Sequence, residues 1–256
     1  MRILVTGLSG FIGSSLGPML QSRGHDVRSQ DMRGCDAVVH LANIAHARAG
    51  RQRLWEVNVG GTARAAALAA EVGARRFVYL SSVKARDRND AYGEAKLEAE
   101  ASLSRLASRT GLEVVILRPP LVYGPRVRAN FLALMRAIAH GWPLPLASID
   151  NRRSLVYVGN LCNAIAACLD SPAAPGKNFY VTDGEALSTP ALCRAIGKAL
   201  GRPARLFPFP PALLPIERLT GSLEVDDSAI RNGLGWRPPF STEEGLRTTA
   251  EWYRTR

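Results

Sequence analysis

The chain has 256 residues, 46% of them hydrophobic, enough for one large core or a core with a small lobe. Its net charge of +11 comes from 33 Lys and Arg against 22 Asp and Glu, and four of the cations are Lys. The Arg are spread along the chain without a basic tail or interleaved aromatics, which argues against a nucleic-acid binder.

No apolar run is long enough to cross a bilayer, so membrane insertion is not expected. A strand entered at residue 2 leaves no room for a signal peptide. Cys35, Cys162, Cys168 and Cys193 show neither metal-ligand spacing nor a CxxC pair. They read as reduced core thiols of a cytoplasmic protein, with no metal site.

The predicted elements alternate. Residues 2–6 form an apolar strand, and Thr6-Gly-Leu-Ser-Gly-Phe-Ile-Gly13 follows directly, opening a helix over 12–23 that Gly24 closes. Glycines in that setting read as a nucleotide-binding turn, with an ordinary tight strand–helix turn as the alternative. Gly7 allows the turn, Gly10 admits a pyrophosphate, and Gly13 lets helix and strand pack closely.

His25–Ser29 resembles a second strand, yet the next strand begins by Ala37. About seven residues then remain for a crossover that usually takes a dozen or more. Either an edge strand has been lost or residues are missing from this stretch. The residue that reads an adenosine ribose belongs at the end of strand two. Arg28 there would favour a 2′-phosphate, and Asp31 a free 2′-hydroxyl.

Strand 36–42, helix 55–72, strand 76–82, helix 91–109 and strand 113–118 continue the alternation, which specifies a Rossmann-type parallel α/β sheet. Strand 154–158, helix 159–170 and strand 178–182 read as its last unit. Helix 190–200 has Ser188 or Thr189 as cap, Pro190 at N1 and Gly201 as its end. Segments 123–150 and 183–256 carry more Pro and irregular structure. The expected division is a dinucleotide-binding domain of 1–122 plus 154–182. Residues 123–153 plus 183–256 would form a small C-terminal substrate-binding lobe over the C-terminal edge of the sheet.

Tyr92-Gly-Glu-Ala-Lys96 is the most chemically pointed motif. Tyr and Lys four apart share one helix face. A phenol with pKa near 10 is a poor base at pH 7. An adjacent ammonium is expected to lower it toward the working range. With Ser81-Ser82 ending the preceding strand, the set suits movement of a proton and a hydride at a C–OH/C=O centre.

These motifs together resemble the extended short-chain dehydrogenase/reductases, in the nucleotide-sugar epimerase/dehydratase branch. The resemblance rests on TGLSGFIG at 6–13, VVHLA at 38–42, NVGGT at 58–62, the Ser pair at 81–82 and YGEAK at 92–96. It continues through RPPLVYGP at 118–125, Asn130-Phe131, RRSLVYVGNL at 152–161 and LGWRPPF at 234–240.

The resemblance implies NAD or NADP as cofactor, with Ser82, Tyr92 and Lys96 catalytic; Ser81 is the neighbouring choice. It implies a cofactor site of Gly7, Gly10, Phe11, Ile12, Gly13, Arg28 or Asp31, Leu41, Ala42, Asn58, Tyr92, Lys96 and Pro119. On the substrate side it implies Lys84, Tyr123, Asn130 and Arg153, with Arg152 competing for the diphosphate role and Arg231 as a further cation. His40 reads as a structural strand-end residue. The two positions after the catalytic Ser are an Asp and a Glu in 4,6-dehydratases; Val83 and Lys84 stand there instead and disfavour that reaction.

The resemblance further implies a UDP-hexose 4-epimerase or 4-keto-sugar reductase of surface-polysaccharide synthesis, working as a homodimer on a nucleotide-sugar substrate. The positive field would steer such anionic ligands, although an Arg- and Ala-rich composition alone also produces it. Competing readings are a steroid- or flavonoid-type reductase and a non-catalytic dinucleotide-binding protein. Phe207-Pro-Phe-Pro-Pro211 reads as a packed loop, with a membrane-facing patch as the alternative.

Overall fold

A computed structural model describes residues 1–44, 50–86, 90–210 and 220–256. The chain divides into two units: residues 1–120, 162–181 and 227–237, and residues 121–161, 182–226 and 238–256.

The first unit is built on six parallel strands in the order β2-β1-β3-β4-β5-β8. These are β1 (Arg2–Thr6), β2 (Asp26–Arg28), β3 (Ala37–His40), β4 (Arg76–Leu80), β5 (Glu113–Arg118) and β8 (Asn178–Tyr180). Every residue of β3 and β4 is buried, as central strands covered on both faces require. The covering helices in this unit include α1 (Gly13–Ser22), α3 (Gly61–Glu71) and α4 (Ala91–Thr110). Helix α4 starts where the Asp90 carboxylate accepts the Tyr92 amide at 3.2 Å, and ends at Gly111 in the left-handed region.

The second strand is present but short, and it is the edge of the sheet. Polar Ser29 and Gln30 end it after three residues. Residues 29–36 then pass across to β3 without a helix, which is feasible because so little strand must be retraced. Asp31 (φ +57°) and Gly34 (φ +67°) make the turns. The Asp31 carboxylate is gripped by the Arg33 backbone and guanidinium. Met32 and Cys35 tuck in among Leu4, Val38 and Ala66, covering apolar surface that a crossover helix would otherwise hide.

The helical stretch expected over 55–72 begins earlier, as α2 (Arg51–Trp55), and passes through a wide π turn (Glu56–Gly60) into α3. The turn brings Asn58 inward, where it is fully buried.

One expectation about the sheet is corrected. Strand 154–158 does not join it. Its core, β7 (Leu155–Tyr157), belongs to the second unit and pairs in parallel with β6 (Leu121–Tyr123). Both strands read Leu-Val-Tyr and pair residue for residue in register. Helix α6 (Val158–Asp170) follows, and β8 then returns to the main sheet beside β5. Residues 227–237 likewise return to the first unit. Helix α8 (Ser228–Leu234) packs on β8, and buried Trp236 donates its indole N–H to Asn163 at 2.9 Å.

In the second unit, α9 (Thr242–Arg254) packs on the β6–β7 pair and on α7 (Thr189–Leu200), which packs in turn on α5 (Ala129–Ala139). Its core is aromatic: Tyr123 stacks on Phe131 with centroids 5.4 Å apart and lies 5.7 Å from Tyr157. Ser188 caps α7 and Gly201 ends it, as expected. The four cysteines are buried and unpaired. No group of potential metal ligands occurs among the described residues, and none of their helices is long and apolar enough to cross a membrane.

Candidate active site

The glycine turn leaves no room for side chains. Gly7 has φ +75°, and a Cβ on it would lie 3.0 Å from the Ala42 amide; a Cβ on Gly13 would lie 2.3 Å from the Gly7 carbonyl. Gly10 donates back to Gly7 at 3.0 Å. No side chain caps α1, so the amides of its first turn, around Phe11, Ile12 and Gly13, have no side-chain acceptor there, as an anion site at a helix start requires.

The end of β3 is tied to this turn. Thr6 Oγ1 meets His40 Nδ1 at 2.9 Å and accepts the Ala42 amide at 3.2 Å. Asn58 clamps the next residues, donating to the Ile44 carbonyl at 3.0 Å and accepting its amide at 2.8 Å. It therefore holds Leu41–Ile44 from beneath and is not a surface residue. His40 is structural: it is stacked beside Phe77 and Tyr79, and burial keeps it neutral, with its pKa near 4.

Ser82, Tyr92 and Lys96 come together in the first unit. The Ser82 side chain lies near the Tyr92 phenol and favours its ionised form. Lys96 is 1% exposed, with Nζ 5.9 Å from the Tyr92 ring centroid and 2.8 Å from the Leu80 carbonyl. That carbonyl is its one hydrogen-bond partner among the described residues, so an ammonium here keeps donors for a ligand.

The expected lowering of the phenol pKa is not found in the free protein. Burial first, then the Asp90 charge, push Tyr92 up to about 12, and burial pushes Lys96 down to about 7. Tyr92 is a protonated phenol at neutral pH. Its conversion to a base needs positive charge brought to its side.

The two serines differ in what lies beneath them. The Ser81 hydroxyl is committed to the buried Glu100 carboxylate, which also holds the Arg118 guanidinium. Arg118 continues to Tyr180 Oη at 3.1 Å. Glu100 and Arg118 were not singled out from sequence. The available signal was Tyr92, Lys96 and Glu100 at successive four-residue steps along one helix face.

Pro119 is buried, and its carbonyl accepts the Val83 amide at 3.1 Å, fixing the turn after Ser82. Lys84, expected toward the substrate, instead ion-pairs with Asp90, the cap of the Tyr92 helix. At the β2 end, Arg28 pairs with Asp26 at 3.1 Å. Asp31 is engaged by Arg33, which holds its carboxyl near pKa 2. Arg231 lies in the first unit and pairs with Asp227.

The other three expected substrate residues lie in the second unit. Tyr123 is a correction: it is fully buried, and its hydroxyl donates to Asp183 at 2.8 Å, so it builds the core. Asn130 is exposed in the first turn of α5 and is not its cap. The two arginines separate cleanly. Arg152 points outward and pairs with Glu224 at 3.0 Å. Arg153 is half-buried, donates to the Gly221 carbonyl at 2.6 Å, and has no carboxylate partner among the described residues.

The uncapped glycine turn, with a buried Lys holding spare donors beside Tyr92 and Ser82, fits a nicotinamide dinucleotide. Comparisons with known proteins agree. The model of the NAD dependent epimerase/dehydratase family matches residues 27–181. A UDP-glucose 4-epimerase of Vibrio cholerae is 34% identical, covering 97% of this chain and 94% of that protein. The alignment runs over 309 positions, so the relative carries internal stretches this shorter chain lacks. A 3 beta-hydroxysteroid dehydrogenase/Delta 5-->4-isomerase of Mycobacterium tuberculosis is 28% identical over 98% of this chain and 90% of that protein. Among solved structures, a UDP-glucuronic acid 4-epimerase from Bacillus cereus in complex with NAD superposes with a TM-score of 0.84 at 20% identity, covering 100% of this chain and 97% of that one.

Proposed function

Because the chain belongs to the NAD-dependent epimerase/dehydratase family, we propose that it is an NAD(P)-dependent 4-epimerase of a UDP-hexose. A dinucleotide held by the glycine turn and Lys96 would supply reversible hydride transfer from its nicotinamide. Ser82 holds the oxygen on C4 and Tyr92 moves its proton. The protonated phenol suits proton donation to a C4 ketone, and a charged Lys96 favours the reverse step. Val83 and the Lys84–Asp90 pair supply no carboxylate pair after Ser82, which argues against 4,6-dehydration.

The observation that carries the substrate reading is Arg153, a half-buried guanidinium without a carboxylate. Such a group suits a diphosphate, which accepts charge-assisted, bidentate hydrogen bonds. Asn130 is the proposed second contact to the nucleotide. We place the enzyme in the cytoplasm as a homodimer serving surface-polysaccharide synthesis, with 4-keto-sugar reduction as the related activity of the same site. The similarity to a steroid dehydrogenase supports a second reading, oxidation of a steroid or flavonoid alcohol by the same Ser–Tyr–Lys set.

The test is to incubate the purified chain with NAD and UDP-hexoses, follow interconversion of the 4-epimers, and record melting with and without UDP. Interconversion with a rise in Tm in UDP is expected. No shift with UDP, together with oxidation of a 3-hydroxysteroid, would put the steroid reading first.

A further inference from the structure

The loop singled out at Phe207 is not simply packed. In the second unit the chain after α5 meets the chain after α7 through one short parallel bridge, Leu144 with Leu206. The Leu144 amide donates to Arg205 at 2.8 Å, and the Phe207 amide donates back to Leu144 at 3.0 Å. Phe209 is half-buried and its amide reaches Ser148. Beside it, Trp142 is 60% exposed and Phe207 41% exposed, together with Pro143, Pro208 and Pro210. Pro211 lies outside the described residues.

Cations outnumber anions around this ribbon, where the exposed carboxylate of Asp150 stands beside three exposed Arg. Arg136, His140, Arg202 and Arg205 are all exposed, and residues 136–149 and 201–210 contain no Asp or Glu. Arg202 bonds the Ala139 carbonyl at 2.7 Å, placing its guanidinium beside the base of Trp142. The prolines remove backbone donors, so the ribbon is poorly suited to gain a strand from a protein partner. Exposed Trp and Phe with Arg whose stems lie along apolar surface are the side chains that settle at the headgroup level of a bilayer. A cationic surround adds attraction to anionic lipid.

We propose that the Trp142–Phe207 ribbon docks this protein peripherally on an anionic membrane surface. The aromatics enter the interfacial layer while Arg136, Arg202 and Arg205 face lipid phosphates.

The test uses the full chain and vesicles of phosphatidylcholine, with or without 30% phosphatidylglycerol, in a sedimentation assay. Expected are binding to the anionic vesicles, much weaker binding to neutral ones, and decline with salt. The general charge of the chain would give part of this, so the double variant Trp142→Ser/Phe207→Ser is decisive. It should lower partitioning roughly tenfold or more with turnover unchanged and only a small fall in Tm, because Trp142 is mostly exposed and Phe207 is 41% exposed. Arg202→Glu/Arg205→Glu should abolish the preference for anionic lipid. Quenching of Trp142 by lipids brominated near the headgroup, compared with Trp142→Phe, tests the same contact in the wild type. Absence of binding, binding unaltered by the aromatic double variant, or no quenching of Trp142 would overturn the proposal. So would a lipid-free dimer that the double variant converts to monomer, since the ribbon would then join two copies.

Discussion

The Ser81 hydroxyl donates to the Glu100 carboxylate, so of two adjacent serines one anchors the strand end while Ser82 stays near the Tyr92 phenol and favours its ionised form. Glu100 also carries the ion pair with Arg118 and lies one helical turn beyond Lys96, whose charged form it favours. A single buried carboxylate thus aligns one member of the Ser–Tyr–Lys set and supports the charge of another.

Glu100→Gln keeps an acceptor for Ser81 but removes the charge. Turnover should fall about ten- to a hundredfold with dinucleotide affinity little changed. Without the carboxylate, Lys96 gives up its proton more readily, so the alkaline limb of the pH–rate profile should move to lower pH. Arg118 would lose its charged partner and keep the Tyr180 hydroxyl, costing about 1.5–3 kcal/mol of stability, measurable by denaturant titration. A variant that loses stability while keeping the wild-type pH profile would reduce Glu100 to a purely structural residue.

Tyr92→Phe should abolish turnover and spare dinucleotide binding, because the phenol moves a proton and does not hold the pyrophosphate. Loss of acid–base catalysis alone costs about 10²–10⁴ in rate. Near-wild-type kcat in the Phe variant would rule the assignment out.

Lys96→Met should lower both turnover and dinucleotide affinity while raising stability. Lys96 has its folded pKa near 7, below its ordinary value of 10.5. Between those values the unfolded chain binds more protons, so wild-type stability rises with pH across that window, and the full penalty is present below it. Removing the ammonium removes this dependence. Melting curves from pH 6 to 10 should show the variant more stable than wild type at the acid end, with the gap closing toward pH 10. A variant less stable at pH 6 would show that the Leu80 hydrogen bond outweighs desolvation.

How far the sequence reached depended on how local each signal was. The glycine turn, the Tyr92–Lys96 face and the Asp90 cap are written in a few consecutive residues, and the structure places them as expected. The short link after Arg28 was visible as a misfit, but its solution was not. It needs Asp31 in a left-handed turn and Met32 and Cys35 as core cover. Pairing of β7 with β6 depends on a partner 34 residues away, and an apolar Leu-Val-Tyr run fits either sheet. The same gap hid Tyr123, since a motif cannot say which of its side chains point into the core. Glu100 and Arg118 escaped because a buried ion pair is recognised only when two elements are brought together.

The two neighbouring arginines give the sharpest test of the substrate. Arg152 and Glu224 are both largely exposed, and such surface pairs are worth little. Arg152→Ala should therefore leave kinetics and stability nearly unchanged. Arg153 is half-buried with no carboxylate among the described residues, so a bound diphosphate would meet it with little competition. Hydrogen bonds to a charged group contribute about 1.5–3 kcal/mol, or roughly one to two decades in affinity. Arg153→Ala should raise KM for a UDP-hexose by that factor, weaken the stabilisation by UDP, and leave NAD(P) affinity alone. Arg153→Lys should restore only part of the loss, since an ammonium cannot make the two-pronged contact. If Arg152→Ala and Arg153→Ala are equally silent while UDP still stabilises both, the diphosphate lies elsewhere and the assignment of Arg153 is wrong.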